Sequence, residues 1–263
     1  MKPDYKNWMP KGMVCTAFAA TAVFFILFIV FGVSGLIKPG TLRTALFIIL
    51  LLGTITGIIS SVWMALMYRA FSYNGKRKLS KQVIEGIAGY VSLPEGGKGL
   101  DVGCGSGALT IACAKRNPGA QFIGIDRWGK EYASFSKTLC EKNAKAEGVS
   151  NVKFGKGDAT KLDFADETFD AVVSNYVYHN IPTNDRQAIL LETLRTLKKG
   201  GCFAIHDTFS KSKYGDMRAF VKKLKDMGYT EVRLISTTDG MFMNKSESGR
   251  MALSGSALLT GVK

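Results

Sequence analysis

Hydrophobic and polar positions along this chain follow two different rules, and the change falls near residue 70. Between Lys11 and Lys38 lie 26 residues without a charge, and between Arg43 and Arg69 another 25. As helices such runs extend roughly 39 Å at about 1.5 Å per residue, more than the roughly 30 Å hydrocarbon core of a bilayer. Core helices of soluble domains usually keep a polar face, which both runs lack. The first is also longer than the apolar region of about 7–15 residues in a signal peptide. Ile37-Lys38-Pro39-Gly40-Thr41 supplies a reversal between them. The pattern predicts a membrane hairpin over residues 1–70, with spans at about 13–36 and 44–68, and a basic juxtamembrane linker over 71–80. Gly53, Gly57 and Ser61 recur at four-residue spacing and let another backbone approach closely. The first span is the expected partner, and a dimer through the same face is the alternative.

From residue 81 to 263 short apolar runs alternate with helical patterns, which predicts an α/β domain: a doubly wound, seven-stranded, mostly parallel sheet. Strands are expected at 100–102, 121–125, 152–154, 169–174, 202–205, 230–235 and 257–262. Helices are expected at 81–91, 108–115, 130–147, 186–197 and 214–227. No helical pattern separates the last two strands, so they should pair antiparallel.

Charge adds a side and a surface. Lys2, Lys6 and Lys11 precede the first span, and Arg69, Lys76, Arg77, Lys78 and Lys81 follow the second, against Lys38 and Arg43 in the turn. Cytoplasmic segments carry the excess of Lys and Arg, so both termini and the large domain are expected in the cytoplasm. The chain carries +14 in all, a balance suited to anionic lipid headgroups. No basic-aromatic stripe points to nucleic acid, and no nucleic-acid partner is expected. The five cysteines show no CxxC spacing and read as reduced, buried thiols.

Asp101-Val102-Gly103-Cys104-Gly105-Ser106-Gly107 closes one strand and opens a helix, offering bare backbone and unpaired N–H groups to an anionic or polar ligand. The loop alone is ambiguous, because Gly103-x-Gly105-x-x-Ala108 also fits the dinucleotide fingerprint. Asp126 ends the second strand and suits ribose hydroxyls, which both nicotinamide dinucleotides and S-adenosylmethionine carry.

Four segments in series, LDVGCGSG, GID, GDAT and FDAVVSNYVYHN, followed by LKKGG, resemble the class I S-adenosylmethionine-dependent methyltransferase family over roughly residues 80–263. The resemblance implies a Rossmann-like methyltransferase fold and S-adenosylmethionine as cofactor. It implies that Asp101, Gly103 and Gly105 line the methionine end of the cofactor, with Gly107 in the same binding loop, and that Asp126 holds the ribose. Arg127 and Trp128 would lie near the adenine, Asp158 and Ala159 at its edge, and Asn175 beside the methionine moiety.

Methyl transfer needs alignment, water exclusion and, for a hydroxyl or amine acceptor, a base. The two histidines, His179 and His206, both follow strand ends on the ligand-binding edge of the expected sheet and are the candidate bases. Tyr178, with Tyr176, is the candidate aromatic wall. Asp207 could touch substrate, and no converging set of carboxylates calls for a metal. The hairpin favours a small lipophilic or lipid acceptor. The rival readings are a membrane-located enzyme of soluble metabolites or xenobiotics, and a cofactor-binding sensor or scaffold without turnover.

Overall fold

The computed structural model describes residues 2–129 and 134–263. The chain forms two compact units: Asn7–Ser80, and residues 2–6 together with Lys81–Lys263. The expected boundaries placed residues 1–6 with the hairpin and set 71–80 apart as a linker. Instead the first residues join the α/β unit, and the linker residues belong to the helical one.

In the helical unit α1 spans Lys11–Leu27 and continues through π-helical turns at Phe28–Val33, and α2 spans Thr41–Phe71. Both are long and apolar enough to cross a bilayer by length and composition, with mean hydropathy 2.7 and 2.4. Their outward surface is aliphatic, with Ile26, Ile49 and Ile59 exposed. Inward, the small-residue stripe is taken up by the other helix. A Cβ on Gly57 would lie 2.8 Å from Thr21 Oγ1, and the Thr21 and Ser61 hydroxyls share a hydrogen bond of 2.9 Å. The first helix is thus the partner of the Gly53/Gly57/Ser61 stripe within the chain, as expected, with Ser61 buried and the two glycines half-buried. Arg43 does more than flank the turn: its guanidinium donates to the carbonyls of Gly32 and Val33 at the end of the first helix, where orphan carbonyls need partners.

The α/β unit runs α3 (Leu79–Ala88), β1 (Lys98–Val102), α4 (Ala108–Arg116), β2 (Gln121–Asp126), α5 (Lys137–Ala146), β3 (Val152–Lys156) and β4 (Phe169–Asn175). It continues with α6 (Arg186–Arg195), β5 (Leu197–Thr208), α7 (Lys211–Tyr214), α8 (Met217–Asp226), β6 (Thr230–Ser236), α9 (Lys245–Arg250) and β7 (Ser256–Val262). The strands form one seven-stranded mixed sheet ordered β3-β2-β1-β4-β5-β7-β6. Only β7 runs antiparallel to its neighbours β5 and β6. Leu100, Val102, Val172, Phe203 and Ile205 are fully buried, the continuous apolar run that a strand covered on both faces requires. The strand order reverses between the parallel neighbours β1 and β4, the switch point at whose carboxyl edge open α/β sheets bind ligands.

Several expected elements differ. The helix expected at 130–147 is seen from Lys137, and residues 130–133 lie outside the described residues. The helix expected at 214–227 is two, broken at Gly215 (φ 69°), with Asp216 capping α8 by accepting from the N–H groups of Arg218 and Ala219. The fifth strand reaches back to Leu197 and onward to Thr208, so the helix before it stops at Arg195. The short α9, capped by Asn244, does separate the last two strands, yet they still pair antiparallel.

Candidate active site

The glycine loop follows from left-handed backbone. Gly103, Gly105 and Gly107 have φ of 76°, 55° and 82°, a region that L side chains rarely adopt. Gly103 also admits a close neighbour, since a Cβ there would lie 2.2 Å from the Val177 side chain. The N–H groups of Gly103 and Cys104 both donate to the Ile125 carbonyl, tying the loop to β2. Asp101 does not reach the open side of the loop. It is 1% exposed and accepts from the Thr110 hydroxyl at 2.6 Å, and burial pushes its carboxyl up to about 7. Any part it plays at the methionine end, where it was expected, is as a buried support beneath the loop.

At the end of β2 the half-buried Asp126 accepts from Gly105 N–H (2.8 Å) and Trp128 N–H (2.7 Å). Trp128 is itself left-handed (φ 45°), and its indole N–H donates to the Gly105 carbonyl at 2.9 Å. Arg127 is exposed. Beyond β3, Asp158 is exposed and accepts from the Thr160 N–H and hydroxyl, which hold its carboxyl below the usual range. Ala159 next to it is half-buried.

The register of β4 against β5 pairs Asn175 with His206, and the consequence is direct. His206 is fully buried, with Nδ1 2.9 Å from Asn175 Oδ1 and Nε2 2.9 Å from Thr237 Oγ1. Burial presses its pKa down to about 3. With both nitrogens engaged and the ring neutral, His206 is a strut and not the proton acceptor expected. Tyr178 also turns inward: it is fully buried, its hydroxyl is 2.8 Å from Thr193 Oγ1, and it forms no wall of the cleft. Tyr176 is half-buried, with its ring 4.6 Å from His206 and 6.0 Å from His179 and its hydroxyl on Ser256.

His179 is different. Its ring is partly exposed, and Nδ1 lies 2.6 Å from Oδ1 of the buried Asp207. Burial alone would raise the Asp207 pKa. The bond and charge of His179 and the N–H groups of Thr208 and His179 outweigh it and hold the carboxyl below its usual value. An ionised Asp207 makes Nδ1 a donor, which leaves Nε2 with a lone pair able to accept a proton. Close to the same carboxylate the buried Tyr214 hydroxyl makes no well-formed hydrogen bond. Among the described residues no cluster of side chains could hold a metal ion.

A family model described as a methyltransferase domain matches residues 93–243. The chain belongs to the methyltransferase-domain family. Among its curated relatives, the chain is 32% identical over 134 residues to a demethylmenaquinone methyltransferase of Bacillus velezensis, covering 49% of this chain and 53% of the relative. It is 30% identical over 160 residues to a demethylmenaquinone methyltransferase of Geobacillus stearothermophilus, covering 59% and 61%. The match therefore spans only part of each of these relatives. Among solved structures, the [4+2]-cyclase SpnF shares the fold with a TM-score of 0.54 at 18% identity, over 73% of this chain and 85% of that one.

S-adenosylmethionine is the cofactor of this methyltransferase class, and the loop's geometry suits it. A Cβ on Gly105 would meet only the Phe135 ring, in ordinary van der Waals contact at 3.7 Å, so it is the left-handed backbone that calls for glycine there. Each Asp126 oxygen already accepts one backbone N–H and retains a further lone pair for a ribose hydroxyl. Gly103, Gly105, Gly107, Asp126, Trp128, Asp158 and Asn175 all lie along the carboxyl edge of the sheet and could hold the cofactor there.

Proposed function

We propose that this methyltransferase moves a methyl group from S-adenosylmethionine to a small lipophilic acceptor of the quinone type, with His179 as general base. The observation that carries the reading is the His179–Asp207 pair at 2.6 Å on the ligand-binding edge. Two relatives that bear the name demethylmenaquinone methyltransferase support the acceptor class.

When bound, S-adenosylmethionine supplies a methyl group already activated by its sulfonium. The protein's own part is to deliver and orient an electron-rich acceptor. His179 Nε2 takes the proton of an acceptor hydroxyl, and Asp207 stabilises the imidazolium that forms. The phenolate then carries enough electron density on its ring for in-line attack. Tyr176, held over His206 and hydrogen-bonded to Ser256, gives the cleft an aromatic side against which a flat ring packs. Trp128, anchored to Gly105, covers the cofactor loop.

The two apolar helices support this reading, because as membrane spans they would hold the enzyme where such an acceptor dissolves. In this reading they span the membrane and the charge flanking them keeps both termini and the α/β unit on the cytoplasmic side. The test is to incubate full-length protein in nanodiscs with S-adenosylmethionine and a reduced demethylated naphthoquinone, and to measure S-adenosylhomocysteine and methylated quinol. Release of S-adenosylhomocysteine with hydrophilic phenols only would overturn the acceptor assignment.

A further inference from the structure

The chain's first residues belong to the α/β unit although about 74 residues of helical hairpin separate them from the rest of it. Their anchor is one side chain. Asn143, on α5 and 2% exposed, accepts from the Asp4 N–H at 2.7 Å and donates to the Asp4 carbonyl at 3.0 Å. Its amide also donates to the Ser106 carbonyl, again at 3.0 Å. The orientation is forced: a backbone N–H must meet the amide oxygen, and two carbonyls must meet the amide nitrogen. Next to it Tyr5 is buried and its hydroxyl donates to Glu147 Oε1, while Glu147 also binds Lys115 of α4. At Lys6 the backbone turns left-handed (φ 56°) and the chain leaves for the hairpin.

Ser106 sits at the centre of the glycine loop. A trans peptide has one plane, so fixing the Ser106 carbonyl also fixes the Gly107 N–H, which donates to Cys104 O at 2.7 Å. The same helix holds the preceding carbonyl, since the Cys140 thiol lies 3.2 Å from Gly105 O. The loop is therefore braced from α5 at two successive peptides, and the brace at Ser106 shares its side chain with the N-terminal segment.

We propose that residues 2–6 form a strap that positions the cofactor loop, with Asn143 as its clasp. The proposal rests on reading the glycine loop as the S-adenosylmethionine site. Asn143 and the strap act through the loop and touch no reacting atom; they are positioning elements. One consequence concerns truncation. A soluble fragment made by deleting the hairpin from the first residue onward also deletes the strap, so its loss of activity would be misread as dependence on the membrane.

The experiment measures the dissociation constant of S-adenosylmethionine by calorimetry, on full-length protein in detergent or nanodiscs. Asp4→Pro removes the N–H that Asn143 accepts, whereas Asp4→Ala keeps it. The expected result is binding about tenfold weaker for Asp4→Pro than for Asp4→Ala, the scale of one buried hydrogen-bond network opened. Asn143→Ala should weaken binding at least as much, with KM for the cofactor rising and kcat nearly retained. Thermal melting of the apo proteins separates this from general unfolding, because the two Asp4 variants should melt within a few degrees of each other. Equal affinities for the two Asp4 variants would overturn the strap. Unweakened binding in Asp126→Ala would overturn the cofactor reading itself, so the two failures are distinguishable.

Discussion

His179 Nδ1 and Asp207 Oδ1 stand 2.6 Å apart, one side chain partly exposed and the other with no exposed surface. The buried partner is an anion held by backbone N–H groups, and the exposed partner is the one able to meet an acceptor. This asymmetry separates orientation from proton transfer within two residues.

Asp207→Asn keeps the shape but removes the anion that fixes the imidazole tautomer and stabilises its charge. We expect kcat to fall by roughly 10²–10⁴, the range of a lost general base, and His179→Ala to fall no further by more than a few-fold. Steady-state release of S-adenosylhomocysteine measures both. An Asp207→Asn enzyme with nearly full kcat would remove the pair from the mechanism.

Two buried groups give opposing pH dependences. His206 is pressed down to about 3, so below pH 6.5 the unfolded chain binds a proton that the fold refuses, and stability falls as pH falls. Asp101 is pushed up to about 7, so between about pH 4 and 7 the fold binds a proton that the unfolded chain has released, and stability falls as pH rises. Each contributes up to about 1.4 kcal/mol per pH unit, and between about pH 4 and 6.5 they cancel. Asp101→Asn removes one arm. Its unfolding free energy should rise with pH across that window more steeply than the wild type's; parallel curves would contradict the assignment.

Tyr214 carries a buried hydroxyl, and burial with the nearby Asp207 charge holds its pKa far above the usual value. Removing that oxygen takes away only its loose approach to Asp207 and relieves a buried donor without a well-formed hydrogen bond. Tyr214→Phe should therefore leave stability unchanged or raise it by about 1 kcal/mol. Denaturant melts that show a loss of more than about 1 kcal/mol would mean that the hydroxyl has a partner in solution.

Within the hairpin, Gly57 faces the branched Thr21 side chain at distances that leave no room for a Cβ. Gly57→Leu should part the helices and break the Thr21–Ser61 bond. In a Thr21→Cys/Ser61→Cys background, disulfide yield should drop severalfold when Gly57→Leu is added. An unchanged yield would show that the helices pack through another face.

What was legible in the sequence is what neighbouring residues encode. Continuous apolar runs marked the strands, and Gly103, Gly105 and Gly107 marked a loop that does adopt left-handed backbone. Asn175 at the end of β4 was legible as an edge residue, though its bond to His206 was not. Two histidines at equivalent strand ends look alike from the sequence. Their difference lies in partners far along the chain: His206 is closed by Thr237, whereas His179 meets Asp207. Tyr178 and Asp101 face inward for the same kind of reason, through Thr193 and Thr110. Asn143 carried no local signal at all, because its partner Asp4 is 139 positions away. The break at Gly215 was readable in principle, since a glycine followed by a capping Asp216 both ends one helix and starts another.

The most direct test of the central claim is product analysis with full-length protein in nanodiscs, supplied with S-adenosylmethionine and a reduced demethylated naphthoquinone. The account predicts stoichiometric S-adenosylhomocysteine and singly methylated quinol from the wild type, and almost none from His179→Ala despite normal cofactor binding. Cofactor bound tightly by the wild type with no methylated quinol formed would contradict it.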